Sequence, residues 1–326
     1  MTAKLQSPAS QSRRAFRFGV GPANLQVTPA EWTELARRVE AAGYDTLAIG
    51  DHPTLARPAP IASMTAAGVA TTRLRVAVHT LGVDFRQPVV LAKELATIDQ
   101  MTSGRLELGL GAGWLRDDYE RAGIPFERPG VRLARLREAV LIWRALMSDG
   151  ACHLDGEHYQ VHIDDFWPLA AQRPTPPLMM GGGGPRMLGL AAELADIVGI
   201  SFSFASGSFS NWDGSAVTRA TVAAKLELVA AAAGSRWEQI ELHSGVIGVA
   251  VTTDRRGAAQ RFGEPFGLSP DQVLDSPFWC IGTVAQIVED LERDREELGL
   301  TYVTVPGDTW EAFAPVAETL RSRSGA

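Results

Sequence analysis

The chain has 326 residues, of which 45% are hydrophobic and 21% charged, and this is enough apolar material to close one large core. Its 31 Lys and Arg residues against 38 Asp and Glu residues give a formal charge of -7. Because no dense basic stripe interrupts this acidic balance, a nucleic-acid partner is excluded on electrostatic grounds. No apolar run approaches the roughly 18 residues of a membrane span, which excludes a transmembrane protein.

The two cysteines, Cys152 and Cys280, lie far apart and outside any Cys-x-x-Cys or Cys/His spacing. This arrangement argues against a disulfide framework and indicates a reducing compartment, the cytoplasm by default. A metal site is not predicted, because the histidines of the segment 153–162 share no ligand spacing. Residues 1–15 lack the apolar core of a signal peptide and predict a disordered tail, followed by one domain over 16–326.

From Phe16 onward, short β-rich runs alternate with helical periodicity, which predicts βα units around a parallel sheet. The predicted strands cover 16–20, 46–49, 74–78, 106–110, 178–180, 196–200, 242–251 and 302–305. The predicted helices cover 28–43, 61–70, 88–103, 132–147, 185–195, 218–233, 284–298 and 311–321. The period changes to two across 153–161, which predicts a hairpin turning at Asp155-Gly156.

Eight such units predict a (β/α)8 TIM barrel with insertions after strands 4 and 7. A doubly wound open sheet is the alternative. It would need a dinucleotide-binding glycine fingerprint on the first turn, where Gly19-Val20-Gly21 is interrupted by Pro22.

The active site of a barrel lies at the carboxyl ends of its strands, so the residues directly after each strand are the candidates. Asp51 and His52 follow the second strand, and such a pair can bind a cofactor ring or transfer a proton near neutral pH. It could equally cap the following loop. His79, after the third strand, could point into the barrel wall or into the mouth.

Two glycine-rich turns follow later strands. Gly181 to Gly184 precede Pro185 at a predicted helix start, where free N–H groups attract a phosphate, although a merely flexible turn would look similar. The run from Gly109 to Gly113 would let a flat ring lie on the main chain, with Trp114 as a stacking wall. Close packing inside the barrel explains those glycines nearly as well.

In these passages the chain resembles the luciferase-like monooxygenase superfamily, whose members are flavin- and deazaflavin-dependent barrel enzymes. The passages that carry the resemblance are Ala41-Ala-Gly43-Tyr-Asp45, Gly50-Asp51-His52, Gln87-Pro88 through Thr97, Ser103-Gly104-Arg105, Gly109 through Trp114, Pro177 through Pro185, and Ile281-Gly282-Thr283.

The resemblance implies a redox cofactor at the barrel mouth. Its ring would lie over the ends of strands two to four and its phosphate at the glycine loop. The residues implied for the cofactor are Asp51, Thr80, Gly82, Val83, Gly111, Ala112, Gly113, Trp114, Gly182, Gly183 and Gly184. A non-prolyl cis peptide after strand three supports the ring in such enzymes, and Gly82-Val83 occupies the corresponding stretch.

The spacing resembles most the branch that depends on coenzyme F420, a 5-deazaflavin that carries hydride. This implies an F420-dependent dehydrogenase or reductase with His52 as the proton-transfer residue and a small, partly apolar substrate. Trp114 stands where several relatives have a proton-donating glutamate, which puts a sugar-phosphate dehydrogenase in doubt. The alternatives are an FMN-dependent two-component monooxygenase and a non-catalytic flavin-binding relative.

Two further expectations concern partners and substrate. Relatives commonly form homodimers through barrel helices, and a separate F420 or flavin reductase would supply reduced cofactor. The segments 201–214 and 252–277, the latter with Phe262, Phe266 and neighbouring Phe278-Trp279, are expected to form a lid over an apolar substrate.

Overall fold

The protein was analysed as a computed structural model that describes residues 14–21, 27–201, 207 and 214–324. The strands in this part of the chain are β1 (Arg17–Val20), β2 (Thr46–Ile49), β3 (Arg75–Val78), β4 (Leu81–Gly82), β5 (Leu106–Gly111), β6 (Cys152–Asp155), β7 (Gln160–Ile163), β8 (Leu178–Gly182), β9 (Ile197–Ile200), β10 (Glu241–Gly245), β11 (Gly248–Val251), β12 (Trp279–Gly282) and β13 (Leu300–Val305).

Eight of these strands form a closed parallel barrel in the order β1, β2, β3, β5, β8, β9, β10 and β13. Every neighbouring pair is parallel, and β13 pairs with β1, so the sheet has no free edge between them. The prediction of a (β/α)8 barrel is confirmed. The open doubly wound sheet is wrong, because an open sheet would leave two strands with one neighbour each.

Helices connect the barrel strands and cover their outer face. They are α1 (Pro29–Ala41), α2 (Pro60–Ala70), α3 (Pro88–Met101), α4 (Arg116–Ala122), α5 (Pro129–Asp149), α6 (Pro185–Leu194), α7 (Arg219–Ala233), α8 (Arg255–Gly263), α9 (Pro270–Asp275), α10 (Val284–Leu298) and α11 (Trp310–Ser324). None of them, within the described residues, is long and apolar enough to cross a membrane.

Local sequence signals set the ends of several helices. At α1, the Thr28 hydroxyl accepts from the Glu31 N–H while the Glu31 carboxylate accepts from the Thr28 N–H, which satisfies two backbone donors at the helix start. Helix α10 begins with the same arrangement at Thr283 and ends at Gly299 in the left-handed conformation. Its apolar face lies against the barrel, and the strands and helices enclose one large core, with a small separate cluster of Met179, Ile197 and Tyr302.

Two segments leave the barrel. Between β5 and β8 the chain forms α4, α5 and the antiparallel hairpin β6–β7. Between β10 and β13 it forms α8, α9 and a separate parallel pair, β11–β12. The single strand predicted over 242–251 is wrong. The chain turns out of the barrel at Val246 and Ile247, whose N–H groups donate to the Thr304 and Phe278 carbonyls. The apolar residues of the sequence continue through this turn, so the pattern alone predicted one strand.

The segment 252–277, expected to form a lid, contains α8 and α9. Phe278 and Trp279, which follow it, are buried at 1% and 5% exposure, and the Phe266 ring lies edge-on to Trp279 at 5.6 Å. Phe262 packs over Gly248. These aromatic side chains therefore stabilise the segment between β10 and β13.

Two predicted features lie largely outside the described residues. Of the expected substrate segment 201–214, the structure describes Ser201, Gly207 and Gly214. Of the predicted tail 1–15, it describes Arg14 and Ala15, and the Arg14 guanidinium donates to the Glu238 carbonyl at 2.7 Å.

Candidate active site

His52 lies three residues beyond the end of β2, at the mouth of the barrel. Its Nδ1 is 2.6 Å from a carboxylate oxygen of Asp118, and its ring meets Trp114 edge-on at 5.9 Å. Nε2 has no hydrogen bond to any described residue. A carboxylate can only accept, so Nδ1 carries the proton and Nε2 of the neutral ring is an acceptor. The imidazole is thus fixed on one side and free on the other.

Asp118 holds this histidine from a rigid position. Its side chain is 2% exposed, and its second oxygen accepts from the Thr54 hydroxyl at 2.6 Å. It lies in the first turn of α4, which ends at Gly123 in the left-handed conformation. Sequence reasoning missed this helix and its aspartate. The acidic first turn and the glycine stop were the available signals.

Asp51, the other half of the predicted pair, is engaged by the protein itself. Both of its oxygens accept hydrogen bonds from the Arg86 guanidinium, at 2.5 and 3.1 Å. One of them also accepts from the Gly82 N–H at 2.9 Å. Asp51 therefore fixes the chain that follows β3, and its side chain is only 3% exposed.

The segment after β3 differs from the prediction. The non-prolyl cis peptide joins His79 and Thr80, three residues before the expected Gly82–Val83. Gly82 is buried and Val83 is 1% exposed, whereas Thr80 keeps partial exposure at the mouth. The expected position Gly82–Val83 is therefore wrong, and the non-prolyl cis peptide of this barrel is His79–Thr80.

The glycines of β5 leave room for the segment around Val78 and Thr80 to pass close to that strand. A Cβ atom at Gly109 would lie 2.0 Å from the Val78 carbonyl oxygen, and one at Gly111 would lie 2.3 Å from the Thr80 hydroxyl. Both distances are far inside van der Waals contact, so Gly109 is needed for packing against the Val78 backbone and Gly111 for packing against the Thr80 side chain. Of the two explanations for the glycine run, close packing accounts for them.

Buried polar groups hold the turn that carries Trp114. Arg132 donates to the carbonyls of Ala112 and Gly113. Tyr119 donates to Ala112 at 3.3 Å and to an Asp84 carboxylate oxygen at 3.0 Å. Gly113 has φ +69°, and a Cβ there would lie 1.7 Å from the Tyr119 hydroxyl. Sequence reasoning missed these supports because their contacts span 7 to 35 residues of the chain.

The glycine loop after β8 has two parts with different roles. A Cβ at Gly181 would lie 2.5 Å from the Gly199 carbonyl, so that glycine is needed inside the barrel. Gly184, the N-cap of α6, has no atom within 4 Å of its Cβ position, and no side chain caps that helix. Arg186 forms no ion pair with any described residue. This end of the loop can accommodate an anionic group on free N–H donors.

The predicted residues fall into two groups by exposure. Those partly exposed at the carboxyl ends of the strands are His52, Thr80, Ala112, Gly113, Trp114, Gly182, Gly183 and Gly184. Those buried behind them are Asp51, Gly82, Val83 and Gly111. Across the described residues, no group of three or more His, Cys, Asp or Glu side chains is placed to hold a metal ion.

Comparison with known proteins identifies the family. A sequence model of the luciferase-like monooxygenases matches residues 14–302. The chain belongs to the luciferase-like monooxygenase family. The resemblance predicted from the sequence is thereby confirmed.

Two relatives and one solved structure are similar to the chain. An F420-dependent glucose-6-phosphate dehydrogenase from Gordonia bronchialis is 30% identical over 56% of this chain and 55% of its own, so the chain spans about half the length of that relative. A protein of the same name from Mycolicibacterium gilvum is 28% identical over 93% and 88%. The coenzyme F420-dependent tetrahydromethanopterin reductase from Methanopyrus kandleri has the same fold, with TM-score 0.75 and 17% identity over 94% and 98%.

Proposed function

We propose that this luciferase-like protein is a coenzyme F420-dependent oxidoreductase that transfers hydride between the deazaflavin and a small organic substrate. The observation that carries the proposal is the His52–Asp118 pair at the barrel mouth, in which Nε2 of His52 has no hydrogen bond to a described residue. The relatives named above, which are F420-dependent by name, support the choice of cofactor.

In this proposal the residues at the mouth divide the binding of the cofactor among them. Thr80, Ala112, Gly113 and Trp114 would contact the ring, and the buried Asp51, Gly82, Val83 and Gly111 would support that surface from behind. Gly182, Gly183 and Gly184 would bind the phosphate together with the uncapped N–H groups of α6. The open space above Gly184 is the structural observation that fits a bound group.

Oxidation of an alcohol to a carbonyl releases one hydride and one proton. When bound, the deazaflavin exchanges the hydride at its C5 position. His52 Nε2 accepts the hydroxyl proton, and it returns the proton when a carbonyl is reduced. Asp118 stabilises the imidazolium that forms and keeps Nε2 directed away from α4. Because His52 Nε2 can accept a hydroxyl proton and return it, we propose an alcohol–carbonyl pair as the substrate class.

Separate equilibrium titrations of the purified protein with F420 and with FMN, followed by fluorescence, test this function. Preferential F420 binding is the expected result, and loss of the oxidised F420 fluorescence with a panel of alcohols then identifies the substrate. Preferential FMN binding followed by oxygen consumption would overturn the proposal in favour of a two-component monooxygenase. Binding without any turnover would favour a non-catalytic flavin-binding protein.

The assembly is proposed as a homodimer. Val69 on α2 and Val90 on α3 are 61% and 58% exposed, and these two helices pack side by side, which supports a self-association surface there. Size-exclusion chromatography with light scattering gives the oligomeric state. A separate reductase that regenerates the cofactor and a reducing, cytoplasmic location remain part of the proposal.

A further inference from the structure

The barrel interior contains a buried polar cluster below the mouth. Glu107 on β5 and Arg17 on β1 form an ion pair at 2.5 Å, and the Arg17 guanidinium lies 4.2 Å above the centre of the Tyr302 ring. Three rings pack edge-on over this pair: His79 and His243 at 5.1 Å, and His243 and Tyr302 at 4.7 Å. The proposed hydride transfer uses none of these side chains.

Three buried polar atoms in this cluster have no hydrogen-bond partner among the residues that the structure describes. They are His79 Nε2, Glu107 Oε1 and Tyr302 Oη. His79 Nε2 and Glu107 Oε1 are 3.9 Å apart, which is too long for a hydrogen bond and suited to one bridging water. Buried polar atoms without a partner are uncommon in native proteins, so three in one cluster require an explanation.

The ionisation states of Glu107 and Tyr302 allow a single water molecule to satisfy all three atoms. Burial by itself would raise the pKa of Glu107, but the neighbouring His79 and Arg17 more than offset it and the pKa lies well below its ordinary value. Burial and then the Glu107 charge raise the pKa of Tyr302 well above its ordinary value. The carboxylate is therefore an acceptor and the phenol a donor. A water can accept from Tyr302, donate to Glu107 and bond His79, since it has two donors and two acceptor sites.

We propose that one ordered water molecule binds inside the barrel between His79, Glu107 and Tyr302. It connects the floor of the mouth, where His79 precedes Thr80, to the Arg17–Glu107 ion pair. His79 is then a positioning residue, whose ring is held by the barrel interior. This inference is independent of the proposed function, because the atoms involved are buried whatever cofactor binds.

Equilibrium unfolding in urea of Tyr302→Phe tests the water site, with Tyr44→Phe as the matched control. The buried Tyr44 hydroxyl donates directly to the Trp310 carbonyl at 2.6 Å, so its loss should lower the unfolding midpoint. If water binds Tyr302, the Tyr302→Phe midpoint falls as well. An unchanged or higher midpoint would overturn the proposal, because removing a truly unpartnered hydroxyl relieves a desolvation cost.

A high-resolution crystal structure of the unmodified protein provides the second measurement and does not depend on any variant folding. The expected result is a single water peak within hydrogen-bonding distance of all three atoms. Direct contact of Glu107 with His79 or Tyr302, with no intervening peak, would overturn the inference. Neither measurement involves F420, so a failure here and a failure of the proposed function are distinguishable.

Discussion

Replacement of Asp118 by asparagine should reverse the hydrogen-bonding polarity of His52. The Asn oxygen can still accept from Thr54, as the Asp oxygen does at 2.6 Å, so the local fold is retained. The Asn amide, however, would donate to Nδ1 of His52. The imidazole proton would then move to Nε2, and the atom facing the mouth would become a donor instead of an acceptor.

The size of the effect follows from the contact that is lost. A hydrogen bond to a charged group contributes about 1.5–3 kcal/mol, and the Asp118 carboxylate is buried and 2.6 Å from the ring. If that contribution is realised in the transition state, kcat for alcohol oxidation falls about 10- to 150-fold. Binding of F420 should change little, because neither Asp118 nor Thr54 lies among the proposed cofactor contacts.

Two measurements check this prediction. Nitrogen-15 NMR of histidine-labelled protein, at a pH where the ring is neutral, reports whether Nδ1 or Nε2 of His52 carries the proton. F420 turnover gives the rate. Asp117→Asn is the control, because Asp117 is the exposed neighbour that pairs with Arg121 at 3.2 Å. An unchanged tautomer together with a rate equal to that of the control variant would refute the assigned role of Asp118.

Three further changes test other parts of the molecule. Arg186→Ala should weaken F420 binding about 2- to 5-fold, as expected for an exposed charge. The control variant Arg323→Ala, at the far end of α11, should not weaken it. Equal dissociation constants for the two variants would contradict a phosphate site at α6. Gly113→Ala should destabilise the fold by about 1–3 kcal/mol in urea unfolding, because of its positive φ and its contact with Tyr119; a wild-type midpoint would contradict this. Glu107→Gln should lower stability at neutral pH. Because the folded-state pKa of Glu107 is depressed from 4.5, its contribution is present above that value and is lost as the pH falls below it. The difference from wild type should therefore shrink in acid, and a constant difference would argue against the ion pair.

The barrel was predictable because its signals are local. Runs of β-branched residues between helix starts such as Thr28-Pro29 locate most barrel strands to within two residues. The seventh strand was over-extended, since alternation alone does not distinguish β10 from β11. What separates them is a turn at Val246 whose hydrogen bonds reach residues far along the chain.

The site was only partly predictable, for the same reason. His52 and Trp114 follow strands and can be found by position. Asp118, which orients His52, is 66 residues away, and no spacing rule connects them. The cis peptide was placed three residues too late, because its position depends on where the chain after β3 crosses β5, and a single sequence does not contain that register.

The floor of the mouth is packed without space for a side chain, with Gly109 against the Val78 backbone and Gly111 against the Thr80 side chain. Such a floor cannot be reshaped in small steps, because a methyl group added at Gly109 would force two barrel strands apart and one added at Gly111 would displace Thr80. Alteration of substrate range should therefore succeed through side chains of the wall, such as Trp114, and through the segments that leave β9 and β10. The floor sets one fixed depth for whatever molecule enters.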